Sequence, residues 1–322
     1  MNQVSGTDPE QLDPAAGWAP PGRRRVLQLV LATLWFIDGV LQLQPFMFSR
    51  SFGSLMLGPT AQGNPGVIAR PITHVTTSIA NHSVPADAAF IVIQLGLAVL
   101  IANRRTVKLG LAASVVWSLG VWWIGEGLGG VLTGTASPLT GAPGAVIIYA
   151  ALAILLWPAE DEGISFTAER PVGRLAARAI WVLLWGVLAG LALFASIARH
   201  PRQILSGIDS GEPGWLVDVN RHVLSLVAAH GTLLAALSGA VLLAVAVSTF
   251  LPGPLARAFV VVAVAASLLL WVTGEDLGSL FTGSATDVNS GPLLALFAIA
   301  YWPLRRASLP TPVPHLAEAV AP

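Results

Sequence analysis

GEGLGGVLTGTAS at Gly125–Ser137 and GEDLGSLFTGSAT at Gly274–Thr286 agree at seven of thirteen positions without a gap. Trp122 and Trp271 match just upstream. A second pair of stretches precedes them. Gly63–His82 (GNPGVIARPITHVTTSIANH) aligns with Gly211–His230 (GEPGWLVDVNRHVLSLVAAH) at seven of twenty positions, including a Gly-Pro-Gly frame and two histidines. His82 lies 44 residues before Glu126, and His230 lies 45 before Glu275. Two matched blocks at a nearly constant separation read as an internal duplication.

Between these blocks the chain is apolar. Hydrophobic residues make up 54% of the 322 and charged residues 11%. Soluble domains carry about 25% charge, and the mean hydropathy is +0.72, so the chain reads as a polytopic membrane protein. A transmembrane helix needs about 20 mostly apolar residues. Eight segments approach that length, near Val26–Phe48, Ala86–Ala102, Leu109–Ile124, Gly144–Leu156, Leu175–Ala198, Thr232–Phe250, Ala256–Val272 and Pro292–Trp302. The fourth and eighth are short and run into Trp157-Pro158 and Trp302-Pro303, an interfacial aromatic followed by a helix stop. The fold class is therefore all-α: eight transmembrane helices as two parallel four-helix repeats with short outer-face helices. An even number of spans gives both halves one orientation, the parallel-repeat case. The repeats cover 23–160 and 175–306, joined by a cytoplasmic linker at 161–174. Polar, Pro-rich tails at 1–22 and 307–322 are expected to be disordered.

Eight spans put 12 basic residues on one side and 5 on the other. The positive-inside rule then places both termini in the cytoplasm. One lysine against 16 arginines suits a GC-rich bacterial genome and a plasma-membrane location. Seventeen basic residues balance seventeen acidic ones, which argues against a nucleic-acid partner. The absence of cysteine excludes thiolate metal sites, iron–sulfur clusters and covalent c-type haem. The expected surroundings are the lipid bilayer and partner subunits of a membrane complex.

In the second copy Trp215, Val219, His222, Val223, Leu226, Val227 and His230 recur at steps of three and four, one face of a helix. Val67, Pro71, His74, Val75, Ser78, Ile79 and His82 share that phase in the first. This places the four histidines on the stripe expected to be buried. His222 and His230 are about 12 Å apart along a helix, too far for one metal ion with bonds of about 2 Å. Any ligand site must recruit Glu126 and Glu275, which each end an apolar span. His74, His82, His222, His230, Glu126 and Glu275 are thus the candidate metal set, and the histidines the candidate cofactor-binding set. Imidazole with carboxylate suits a transition metal such as zinc, iron, manganese or copper(II), and histidines from facing repeats suit a b-type haem. The same six residues also suit a hydrogen-bonded structural lattice. Gly125–Gly130 has the glycine density of a nucleotide loop but follows no strand. Its glycines fit a tight or re-entrant turn, with Thr133, Ser137, Thr282 and Thr286 satisfying freed backbone groups.

Asp38 lies inside span one, with Gln42 and Gln44 following, whereas the matching stretch of span five, Trp185–Ala192, is apolar. An intramembrane carboxylate is a functional candidate. Arg50 and Arg70 are its candidate counter-ions. The asymmetry suggests a site in the first half that the second lacks.

Leu31–Leu43, LATLWFIDGVLQL, resembles the opening helix of DoxX-like membrane proteins, whose relatives include DoxD-type subunits of thiosulfate:quinone oxidoreductases. The resemblance implies one compact four-helix membrane unit per half. The family's usual Lys after the Gly is replaced here by Gln42, and the duplicated His/Glu set has no counterpart there, so no residue inherits sulfur or quinone chemistry. Three functions compete: a metal or redox-cofactor site at the extracytoplasmic face, an accessory or scaffold subunit of a membrane complex that is quinone-linked on the DoxX-like model, and a transporter using Asp38. Whether the chain is an enzyme is not legible, and no catalytic residue emerges.

Overall fold

A computed structural model describes residues 22–160, 164–198 and 212–304. Nearly all of the expected tails, residues 161–163 of the linker, His200 and His315 lie outside them. The described residues are helical throughout, with no strand. The helices are α1 (Arg23–Leu41), α2 (Gly66–Asn81), α3 (Ser83–Ala102), α4 (Val107–Ile124), α5 (Ala145–Leu155), the single turn α6 (Glu169–Val172), α7 (Arg174–Ala198), α8 (Gly214–Val247), α9 (Gly253–Thr273) and α10 (Ser290–Ala300).

Among the described residues five helices are long and apolar enough to cross a membrane: α3, α4, the 174–194 part of α7, α8 with its following turn, and α9. The other three expected spans fall short for physical reasons. α5 and α10 have 11 residues each, about 16 Å of helix against a hydrocarbon core of about 30 Å. α1 has 19 residues but opens with three arginines and holds Asp38.

Packing follows the same order in both halves. α1 lies on α3, α3 on α4 and α4 on α5; α7 lies on α8, α8 on α9 and α9 on α10. The short helices α5 and α10 meet in the middle, which explains their brevity and composition. Shielded over most of their surface, they need no polar face: Ile148, Tyr149, Leu152, Ala153, Leu155, Leu293, Leu294, Leu296, Phe297, Ala298 and Ala300 are all buried, while Ile154 and Ile299 are exposed. Trp181 stacks on Phe297 at 5.9 Å between ring centroids, and Trp35 on Tyr149 at 4.0 Å.

The arginine cluster that opens α1 serves as more than a membrane anchor. The Arg24 guanidinium donates to the carbonyls of Leu155 (3.1 Å), Trp157 (3.1 Å) and Thr167 (2.6 Å). Arg25 donates to Ile101 (2.9 Å) and to Ala102. The terminal carbonyls of α3 and α5 have no intrahelical partners, and cations satisfy them while opposing the negative end of the helix dipole. These contacts fix the N-terminus of α1 beside the C-termini of α3 and α5.

The loops matched in sequence adopt one backbone form. Residues 127–130 are all left-handed (φ 54°, 60°, 63° and 70°), and so are 276–279 (φ 49°, 54°, 71° and 55°). Glycine tolerates this conformation and other residues resist it, so the glycines of the first copy have a conformational reason. Non-glycine residues in the second copy are held by their contacts, Asn220 Nδ2 donating to Asp276 Oδ1. Thr133 Oγ1 donates to the Gly130 carbonyl (2.9 Å) and Thr282 Oγ1 to that of Ser279 (2.8 Å), so these two threonines serve the turn as expected.

Candidate functional site

The paired histidines are not buried. His74, His82, His222 and His230 are all exposed, and the buried side of α2 is formed by Ile72, Thr76, Ile79 and Ala80. Trp215 (55% exposed) and Leu226 (42%) share the outward face in the second copy, while Leu216 and Asn220 point inward. The expected burial is thus overturned. Its reason is the solvent: in a bilayer an apolar stripe also suits the lipid-facing side, so periodicity gives the stripe but not its direction. Among the described residues no three His, Asp or Glu side chains come together in a metal-holding group. The structure does give the second histidine of each pair a place. His82 ends α2 with φ −129°, ψ 44°, and His230 interrupts α8 with φ −134°, ψ 22°. Both mark a joint between an outer helix and the long apolar helix after it.

Glu126 and Glu275 have a clear local role. Glu126 Oε1 accepts from Val146 N (3.2 Å) at the start of α5. Glu275 accepts from Gly291 N (3.0 Å) and from Ser290 Oγ at the start of α10. Each carboxyl therefore caps the short helix of its own half, where the first N–H groups lack partners and the dipole favours negative charge. The preceding tryptophans brace the same loops. Trp122 Nε1 donates to the Pro143 carbonyl (2.7 Å) and Trp271 Nε1 to that of Val288 (2.8 Å).

The caps differ in one atom that matters. Both oxygens of Glu275 are bonded, whereas Glu126 Oε2 is buried without a partner. The cause is visible in the sequence: Ser290, whose hydroxyl serves Glu275, is replaced at the start of α5 by Ala145. Burial, reinforced by the charge of Asp287 and opposed by the N–H groups of Val146 and Ala145, pushes Glu126 up to about 8. Burial pushes Glu275 up to about 7, against its bonds to Ser290 and Gly291. Asp287 is also raised by burial.

Asp38 is buried, 1% exposed. Tyr149 Oη donates to its Oδ2 at 2.5 Å and Val288 N to its Oδ1 at 3.1 Å. Neither expected counter-ion reaches it: Arg50 and Arg70 are exposed. The carboxylate instead ties α1 to α5 and to the loop before α10. Gln42 Nε2 reaches the same loop at the Thr286 carbonyl (3.1 Å), and Gln44 Nε2 reaches the Ala285 carbonyl (3.0 Å).

Asp38 and Gln42 line a cavity of about 640 Å³, built mostly from the first half and closed by Thr286 and Asp287 of the second. Its walls are mostly apolar and aromatic: Trp35, Phe52, Phe90, Ile93, Leu97 and Trp117. Asp38, Gln42, Gln94, Glu126 and Asp287 supply its polar end. Val75, Val116 and Gly120 line it and are also exposed, so it opens on the flank of the bundle beside α2 and α4. A second hollow of about 560 Å³, rich in Thr, Ser, Asn and Gly, shares Gly125, Glu126, Thr286 and Asp287 with the first. Four residues that line the cavity each carry one buried polar atom with no hydrogen-bond partner: Gln42 Oε1, Gln94 Oε1, Trp117 Nε1 and Glu126 Oε2.

The second half carries apolar residues at several of the equivalent positions. Gln94, Leu97 and Ala98 match Leu242, Val245 and Ala246 in phase, and Asp38 and Gln42 match Leu188 and Ala192; the second-half residues are all apolar and buried. Of the cavity's polar residues, Asp38 was legible as a lone carboxylate in a span and Glu126 as half of a repeated pair. Gln94 and Asp287 were missed, as was Tyr149, the donor to Asp38. The contrast with apolar partners in the other repeat was the signal that could have found Gln94. No family model, curated protein or solved structure matches the chain.

Proposed function

We propose that this chain is a multi-pass membrane protein that binds a lipophilic molecule in the cavity of its first half. The observation that carries the reading is an apolar cavity open on the bundle's flank, lined by residues whose buried polar atoms lack partners. An unpaired buried polar group costs about 1–3 kcal/mol, and four around one hollow mark a place that a ligand's polar end would complete. The flank opening favours a ligand arriving from the bilayer.

The proposal includes the topology of eight spans in two parallel four-helix repeats, with both termini on the cytoplasmic side of a bacterial plasma membrane. The matched left-handed loops, Glu caps, Trp braces and His joints support the duplication. The arginines at the α1 N-terminus support the orientation. In this reading the second half is the packed scaffold and the first half carries the site. The DoxX-like resemblance of span one fits a four-helix unit per half. The outer-face metal or haem reading is the weaker one, because the histidines are exposed and the glutamates already serve as caps.

The test is to purify the full chain into lipid nanodiscs, extract with organic solvent and identify bound lipophiles by mass spectrometry. A Cβ added at Gly120 meets nothing within 4 Å, and Gly120 lines the cavity at an exposed position, so Gly120→Phe is chosen to obstruct the opening. Gly96, equally free and outside the cavity, gives the control Gly96→Phe. A lipophile stoichiometric with protein in the wild type and Gly96→Phe, and depleted in Gly120→Phe, is expected. Identical extracts from all three proteins would overturn the reading.

A further inference from the structure

We infer that the lipophilic ligand is an organic cation, its positive centre held among the carboxyl groups of Asp38, Glu126 and Asp287 and its apolar body among the aromatic rings of the cavity. This rests on the lipophile-binding reading and narrows its chemistry.

Three carboxyl groups line one cavity, and no Lys, Arg or His lines it or the polar hollow adjoining it. Asp38 and Asp287 are bonded by neutral donors alone: a phenol and a backbone N–H for Asp38, Thr286 Oγ1 (2.7 Å) and Asn289 N (2.7 Å) for Asp287. Negative charge in an apolar setting is costly unless it is paired. A phosphate or carboxylate head would add like charge there, whereas a cation would supply the missing partner.

The unpartnered atoms point the same way. Gln42 is 3% exposed and Gln94 8% exposed; both line the cavity, and each carries an amide oxygen without a donor. Glu126 Oε2 is a third buried oxygen without a partner, and Trp117 Nε1 a buried donor without one. The apolar wall is a run of rings. Phe52 meets Phe90 at 6.4 Å, and Phe90 meets Trp117 at 5.7 Å. Aromatic faces attract cations, most strongly where water is excluded. Carboxyl groups, carbonyl oxygens and ring faces around one hollow form the chemistry that selects a delocalised or alkylated ammonium or phosphonium ion. Leu188, Ala192 and Leu242 stand in the second half where Asp38, Gln42 and Gln94 stand in the first, so that half lacks most of this polar set.

The experiment measures binding of three probes of similar body to the full chain in nanodiscs, with empty nanodiscs as the baseline. The probes are tetraphenylphosphonium, neutral triphenylphosphine oxide and anionic tetraphenylborate. Saturable, near one-to-one binding of the phosphonium is expected, at least tenfold tighter than the neutral probe, with no saturable binding of the borate. Glu126→Gln and Asp287→Asn should each weaken the phosphonium at least tenfold and leave the neutral probe unchanged. Gly120→Phe should abolish both. Because Asp38 also holds the fold, Asp38→Asn is read only beside those two variants. Equal affinity for cation and neutral probe, both lost in Gly120→Phe, would overturn the cation inference and leave the lipophile reading standing. No saturable binding of any probe would overturn both.

Discussion

Removing the Asp38 carboxylate should strand two donors at once, which makes its effect on stability calculable. Asp38→Ala leaves Tyr149 Oη and Val288 N without acceptors at a position that is 1% exposed. Each stranded donor costs about 1–3 kcal/mol, or about 2–6 kcal/mol together. Hydrogen bonds within membranes average nearer 0.6 kcal/mol and reach about 1.7, because the unfolded chain in lipid also finds partners. The lower part of the range, about 2–3 kcal/mol, is therefore expected. Tyr149→Phe keeps the ring stacked on Trp35 and deletes only the hydroxyl, for about 1–2 kcal/mol. Once Asp38 is gone the hydroxyl has nothing to lose, so the pair should be non-additive by about 1 kcal/mol or more. Equilibrium unfolding in mixed micelles, followed by tryptophan fluorescence, reads all four corners of this cycle. Single variants within 0.5 kcal/mol of wild type, or strictly additive ones, would refute the claim that Asp38 fastens α1 to α5 and to the loop before α10.

Other consequences follow from the same geometry. Glu126 is raised from its ordinary value of 4.5 to about 8, so its contribution to stability is present below about pH 4.5 and lost as pH rises through about 8. At about 1.4 kcal/mol per pH unit the loss is of order 5 kcal/mol, and unfolding midpoints measured from pH 5 to 9 should fall less steeply in Glu126→Gln than in wild type; equal slopes would place the titration elsewhere. An added Cβ at Gly278, where φ is 71°, would stand 2.8 Å from the Val288 carbonyl oxygen, so Gly278→Ala should cost about 2 kcal/mol or more, and a neutral substitution would contradict the left-handed turn. His74→Ala and His222→Ala, at exposed positions, should leave both stability and metal content of the purified protein unchanged within about 0.5 kcal/mol and within the error of elemental analysis; a metal lost in either would reinstate the outer-face metal reading.

Helical class and apolar spans were legible from composition, and the motif at Gly125–Ser137 gave the positions of the two matched turns. Asp38 stood out because a carboxylate in a span is costly enough to need a reason. The histidine stripe misled because periodicity identifies an apolar face without saying whether protein or lipid covers it. Gln94, Tyr149 and Asp287 were silent for another reason. Each matters through a partner or wall more than 30 residues distant in sequence, as with Tyr149 and Asp38, and no local pattern encodes that meeting. The loss of one hydroxyl between Ser290 and Ala145 was on the page throughout, but it gained meaning only once both residues were seen beside their glutamates.

The most direct test of the lipophile-binding cavity is photolabelling of the full chain in nanodiscs with a long-chain alkylamine bearing a diazirine, followed by peptide mapping. The account predicts label concentrated on Phe90, Ile93, Val116 and Trp117, displaced by tetraphenylphosphonium and reduced in Gly120→Phe. Label spread evenly over outward-facing positions such as Leu109, Leu255 and Leu269, which are 61%, 52% and 63% exposed, and insensitive to competitor, would contradict it.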